Sequence, residues 1–279
     1  MFAASAFFSI TPHSLASQIL YGGVGNSSIS PGAVVIIDQL TGAGTVVGTP
    51  NNAGGITGFA FNSLGQLFAT VSPVGGSAFL DQIDPVTFAE IGSPVSLSAD
   101  PNIGDLTFQP NTDILFGVSN NRSSAPGTIY TINTTTGVET LIGNPGAGTG
   151  GGLAFAPNGT LYYANFNLLT LNPANASVIS QIALTHTYDG LGIRADGVLF
   201  GNLSGVDGIF TIDPTTGVST SVGLIGGGNR VSDLDFLTTP EPGTNALMAL
   251  GGLALLAGRW LTSRLQGRLG TLWDNSRQP

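Results

Sequence analysis

The 279-residue chain has no cysteine and no lysine. The first absence excludes disulfides and thiolate metal sites. The second leaves seven arginines as its basic residues. Charged residues make up only 8% of the chain, against about 25% in ordinary soluble domains. There are two histidines, His13 and His186. His13 falls in a segment read below as a leader, which leaves one imidazole and excludes a zinc site built on two or three. A serine–histidine–acid triad would have to use His186 with Asp189, and no Gly-x-Ser-x-Gly elbow accompanies them. His186 therefore reads as a loop residue, and no catalytic group is assigned. The glycine clusters Gly148-Thr-Gly-Gly-Gly152 and Gly226-Gly-Gly228 carry no Gly-Lys-Ser/Thr and open no helix after a strand, so a P-loop is excluded.

What is abundant is glycine, 42 residues, with 42% hydrophobic residues. Low charge with ample apolar content is not a disordered composition. It suits many short strands joined by glycine turns, an all-β chain. Charge is unevenly placed. Between Ser17 and Thr239 there are three arginines (Arg122, Arg194, Arg230) and fourteen acids, whereas from Pro240 onward there are four arginines and two acids. Phosphates would be repelled by so acidic a body, so nucleic acid is not an expected partner.

The body repeats. An apolar strand ending in a bulky residue recurs at Gly58-Phe59-Ala60-Phe61, Asp105-Leu106-Thr107-Phe108, Gly152-Leu153-Ala154-Phe155, Gly190-Leu191-Gly192-Ile193 and Asp233-Leu234-Asp235-Phe236, at intervals of 47, 47, 38 and 43 residues. Turn signals such as Asn158-Gly159 and Asp196-Gly197 lead into a second strand. A third strand then ends in Asp or Asn at Asp38, Asp84, Asn133, Asn172 and Asp213. An Asx turn follows, with glycine at Gly137 and Gly217 supplying the left-handed position before a fourth strand. Four strands per unit and a period near 40–47 residues predict a propeller. The first unit lacks its first strand and the last landmark, 231–236, has no unit after it. Pairing these ends would close the ring. The expectation is a five-bladed β-propeller of four-stranded blades over residues 17–237, with blades 19–48 plus 231–236, 56–92, 103–143, 151–182 and 189–223. The repeats resemble those of generic bacterial propellers. The competing architectures are a β-sandwich and an open repeat array.

Oxygen donors are plentiful, so calcium is the metal this composition could hold. Asp105 and Asp233 occupy equivalent positions on innermost strands, where a propeller faces its channel, and Asp189 and Asp235 lie nearby in register. These four are the candidate metal ligands. Read plainly, they are aspartates that cap strands and turns.

Both ends look like addresses. Residues 2–10 form a short apolar run, Pro12 breaks it, and Ser14-Leu15-Ala16 offers small residues for cleavage. No lysine or arginine precedes Arg122, so 1–16 reads as a signal peptide truncated at its start. An N-terminal strand of the body is the competing reading. At the other end stand Pro240-Glu241-Pro242, an apolar run from Thr244 to Gly258, then Arg259, Arg264 and Arg268. Each proline holds its neighbour extended. Fifteen helical residues span about 23 Å against a hydrocarbon core of about 30 Å. Trp260 and Leu261 extend the run to a transmembrane helix over about 244–261, with the arginines as a cytoplasmic anchor. The competing reading is a buried C-terminal helix. With the last strand ending at Phe236, Leu237 to Thr239 read as a flexible linker.

The tripeptide, short helix and following arginines resemble the PEP-CTERM sorting signal of Gram-negative bacteria, over residues 239–268 within a tail of 238–279. The resemblance implies recognition by an exosortase-type enzyme and passage through the inner membrane to the cell surface or extracellular matrix. On that reading the body is a non-enzymatic binding or structural module for an extracellular polysaccharide or a surface protein. The alternative is a glycosidase or lyase acting on polysaccharide through Asp105, Asp189, Asp233 and Asp235.

Overall fold

The computed structural model describes residues 18–50, 54–74, 76–100, 102–148 and 151–238. The leader expected over 1–16, Pro240-Glu241-Pro242, the helix expected over 244–261 and Arg259, Arg264 and Arg268 lie outside the described residues. Among the described residues no helix is long and apolar enough to cross a membrane.

The strands form five separate four-stranded antiparallel sheets, the five blades expected from the repeat. Blade 1 runs β20 (Val231–Thr238), β1 (Gln18–Val24), β2 (Val34–Ile37), β3 (Gly44–Gly48) from the axis outward. Blade 2 is β4 (Gly54–Phe61), β5 (Leu67–Pro73), β6 (Phe79–Ile83) and β7 (Val95–Ser96). Blade 3 is β8 (Ile103–Gln109), β9 (Ile114–Ser119), β10 (Ile129–Ile132) and β11 (Glu139–Gly143). Blade 4 is β12 (Gly152–Phe155), β13 (Leu161–Ala164), β14 (Asn167–Leu171) and β15 (Val178–Ala183). Blade 5 is β16 (Tyr188–Ile193), β17 (Leu199–Leu203), β18 (Gly208–Ile212) and β19 (Ser219–Leu224).

The ring closes as expected: β20 pairs with β1 from Gln18↔Thr238 to Val24↔Val231. Two details differ from the expectation. Leu237 and Thr238 are strand, paired with Ile19 and Gln18, so most of the expected linker is absorbed into the fold. The fourth strand of blade 2 lies beyond residue 92, at Val95–Ser96. Before it, Glu90 makes only an isolated bridge to Ile83. Pro94 lacks an amide hydrogen and Gly92 has φ of 78°, so the ladder breaks between the two contacts.

Alternation along each strand sends neighbouring side chains into different blade interfaces. On β1, Leu20 and Val24 pack toward blade 5 with Phe200, Ile209 and Leu234, while Tyr21 packs toward blade 2 with Ile56, Phe59 and Phe61. Three further clusters join blades 2–3, 3–4 and 4–5. The core is thus five interblade seams. The third-to-fourth turns hold the outer strands in place. Asp38 Oδ1 accepts the Leu40 and Thr41 amides at 2.8 and 2.9 Å, and the same contacts recur at Asp84, Asn133 and Asp213. Gly42, Gly137 and Gly217 take the left-handed position of this turn, and Phe88 and Ala176 take it in the other two blades.

Candidate functional site

An innermost strand is hydrogen-bonded on one side only. Its other edge turns alternate amides toward the axis, where burial makes an unmatched N–H costly. In this protein acidic side chains accept those amides. Asp233 Oδ2 accepts from Phe59 of β4 at 2.7 Å and from Leu106 of β8 at 3.1 Å, and Asp233 Oδ1 accepts from Leu234 of β20 at 2.6 Å. Asp105 Oδ2 accepts from Leu153 of β12 at 2.8 Å and from Leu191 of β16 at 3.3 Å. Phe59, Leu106, Leu153, Leu191 and Leu234 are the same repeat position in the five blades. Two carboxyl groups therefore gather one amide from every blade. The other three residues at the aspartate position are glycines: Gly58, Gly152 and Gly190. At Gly190 a Cβ would come within 2.4 Å of Asp233 Cα, so the inner strands approach too closely for any side chain there.

Two residues further on, the pattern repeats less completely. Asp235 accepts the Phe61 amide at 2.7 Å and the Phe236 amide at 2.8 Å, and Thr107 Oγ1 accepts the Phe155 amide at 3.1 Å. Burial and the neighbouring Asp233 charge push Asp105 well above the usual carboxylate range. Burial does the same to Asp233. Asp235 is pushed up to about 7 by burial, against the opposing pull of its two amides.

One residue before the Asp105/Asp233 layer, the five equivalent positions are Thr57, Gly104, Gly151, Asp189 and Ser232. Together with Asn120 and Asn121 from the β9–β10 loop they line a cavity of about 140 Å³ at the mouth of the axis. A second cavity of about 150 Å³ shares Asp189 and Ser232 with it and is bordered by Asn26, Ser28, Gly205 and Arg230. The joined depression is polar. Burial raises the Asp189 carboxyl, and the Ser204 hydroxyl and Gly205 amide partly offset this. Among the described residues the one ion pair is Arg194–Asp196, on a first-to-second-strand hairpin at the opposite end of the axis. Arg230 borders the mouth without such a partner. Two wider open grooves, about 630 and 450 Å³, lie on the outer strands of blades 3 and 5. Thr131 and Thr140 line one, Thr211 and Thr220 the other.

The four aspartates singled out in the sequence do not form one cluster. Asp105 and Asp233 meet at the axis, Asp235 lies one layer beyond, and Asp189 faces the mouth on the other side. Among the described residues no group of three or more His, Asp or Glu side chains is placed to hold a metal ion. His186 contacts Thr185 Oγ1 through Nδ1 at 2.9 Å and packs on Phe210, with ring centroids 5.0 Å apart. The amide-accepting role of Asp105 and Asp233 is absent from the sequence reading, although their equivalence in the repeat was the signal for it. Thr57 and Ser232 could have been found by extending the repeat alignment one position earlier. Asn120, Asn121 and Arg230 come from connections that share no pattern between blades.

No protein-family model matches the sequence, and the curated proteins hold no match to it. Solved structures do resemble it. A chain of the nidogen/laminin complex aligns with a TM-score of 0.51 at 10% identity, over 79% of this chain and 98% of that one. TolB from Acinetobacter baumannii aligns at 0.47 with 14% identity, over 74% of this chain and 51% of its own. Glutaminyl cyclase from Myxococcus xanthus aligns at 0.44 with 13% identity, over 79% and 78%. At 10% identity the likeness to the nidogen/laminin chain shows fold and nothing further, and it agrees with the five four-stranded sheets: the chain is a β-propeller.

Proposed function

We propose that this protein is an exported surface or matrix propeller that binds a polar ligand, a polysaccharide or a surface protein, at the mouth of its axis. The observation carrying this reading is the joined depression around Asp189. It gathers hydroxyls, amides, one carboxyl and one guanidinium from several blades, and its polar groups suit a hydroxyl-rich ligand better than an apolar one. Export and anchoring rest on the tail. Pro240-Glu241-Pro242 would be gripped by an exosortase-type enzyme, the 244–261 segment would hold the inner membrane, and Arg259, Arg264 and Arg268 would stay on the cytoplasmic side. The polysaccharide-cleaving alternative is less well supported, because Asp105, Asp233 and Asp235 are engaged by backbone amides. Protease added to intact Gram-negative cells expressing the full chain should digest the body. A body that survives this treatment but is digested after lysis would sink the surface reading.

A further inference from the structure

At the axis, the oxygens of two carboxyl groups and the amides that reach them do not match in number. Phe59, Leu106 and Leu234 donate to the two oxygens of Asp233, and Leu153 and Leu191 donate to Asp105 Oδ2. Asp105 Oδ1 is the one oxygen of the four that no amide reaches. Both side chains are fully buried, and the two carboxyls contact each other. The titratable groups on the surrounding strands are all acidic or neutral. β20 adds Asp235, β16 adds Tyr188 and Asp189, β4 and β12 add none, and β8 adds none besides Asp105. No inner strand carries an arginine or histidine. Two adjoining carboxylates without a cation cannot both stay ionised in such a place.

We propose that Asp105 and Asp233 form a buried proton-binding site at the propeller axis, with the proton on Asp105 Oδ1 donated to Asp233. The placement follows from the donors. Asp233 receives three amides, which favours its anion. Asp105 receives two on one oxygen and leaves the other free to act as a hydroxyl. The proton joins blade 3 to blade 1 across the axis, so the ring is tightest when it is bound.

The sign of the pH dependence follows. Both carboxyls titrate above their ordinary value in the folded protein. The folded state therefore keeps a proton that the unfolded chain releases above about pH 4. The stabilisation is complete below that pH and is lost as pH rises through the folded value.

Urea unfolding of the full chain from pH 4 to pH 9 tests this, using wild type, Asp105→Asn and Asp233→Asn. Where one proton is held, the unfolded-to-folded ratio should rise about tenfold per pH unit. Asp105→Asn should remove that part of the slope and match or exceed wild type at pH 8, because its amide nitrogen replaces the donating hydroxyl and its oxygen still accepts from Leu153 and Leu191. Asp233→Asn should weaken the fold at every pH, because an NH₂ group would face an amide donor. Equal slopes in wild type and Asp105→Asn, or equal weakening by the two variants, would overturn the proposal. If Asp233→Asn does not fold, infrared spectra decide. At pH 6 the wild-type minus Asp105→Asn difference should show the C=O band of a protonated carboxyl, and its absence would overturn the proposal.

Discussion

The axial carboxylates predict a graded series of stability losses. Replacing Asp233 by alanine removes the acceptor for three buried amides, those of Phe59, Leu106 and Leu234. Asp235→Ala removes it for two, Phe61 and Phe236. Thr107→Val removes it for one, Phe155, while keeping the shape of the side chain. Each stranded buried amide costs about 1–3 kcal/mol. The three variants should therefore lose about 6, about 4 and about 2 kcal/mol. At pH 5 Asp233→Ala also removes the acceptor of the proton proposed on Asp105, which adds to the first figure. Against a total stability of about 5–15 kcal/mol, Asp233→Ala sits near the limit of folding. Urea denaturation at pH 5, read by far-ultraviolet circular dichroism, measures all three. The ranking is the test. A Thr107→Val loss equal to or larger than that of Asp233→Ala would refute the view that these side chains hold the inner strands together.

Gly190→Ala should destabilise by about 3 kcal/mol or more, since overpacking a rigid backbone contact forces strands apart; its Cβ would meet Asp233 Cα at 2.4 Å, and an unchanged thermal midpoint would contradict this. Asp235 is pushed up to about 7 by burial, so its contribution is present in acid and lost as pH rises through about 7; Asp235→Asn should flatten the unfolding profile between pH 5 and pH 8. Millimolar calcium should leave the unfolding midpoint unchanged, because the amide-bound oxygens of Asp105, Asp233 and Asp235 are poorly placed to coordinate it; a rise that Asp189→Asn abolishes would place an ion at the mouth.

Different features left unequal traces in the sequence. Five recurring bulky landmarks and two half-units at the ends were enough to read the ring, because each blade buries the same register of side chains against its neighbours. Strand ends were harder. Leu237 and Thr238 read as linker, yet they pair with β1, because pairing partners 218 and 220 residues away leave no local pattern. Pro94 displaced the outer strand of blade 2, since β7 carries too few residues for periodicity to register. The acids were legible as axial from their equivalence, but their role was not. Whether an aspartate faces a metal, a substrate or an amide depends on how closely the inner strands approach, and Gly58, Gly152 and Gly190 set that approach only once the ring is assembled. The mouth was half legible: Thr57, Asp189 and Ser232 follow the repeat, whereas Asn120, Asn121 and Arg230 sit on connections of unequal length.

The proposal that the axial mouth is the binding face is tested most directly by amide-resolved nuclear magnetic resonance of the full chain during titration with oligosaccharides cut from extracellular polysaccharide. The predicted result is a cluster of shifted signals at Thr57, Asn120, Asn121, Asp189 and Ser232, lost in Asp189→Ala. Shifts confined to the outer grooves at Thr131, Thr140, Thr211 and Thr220, with the mouth unmoved, would contradict it.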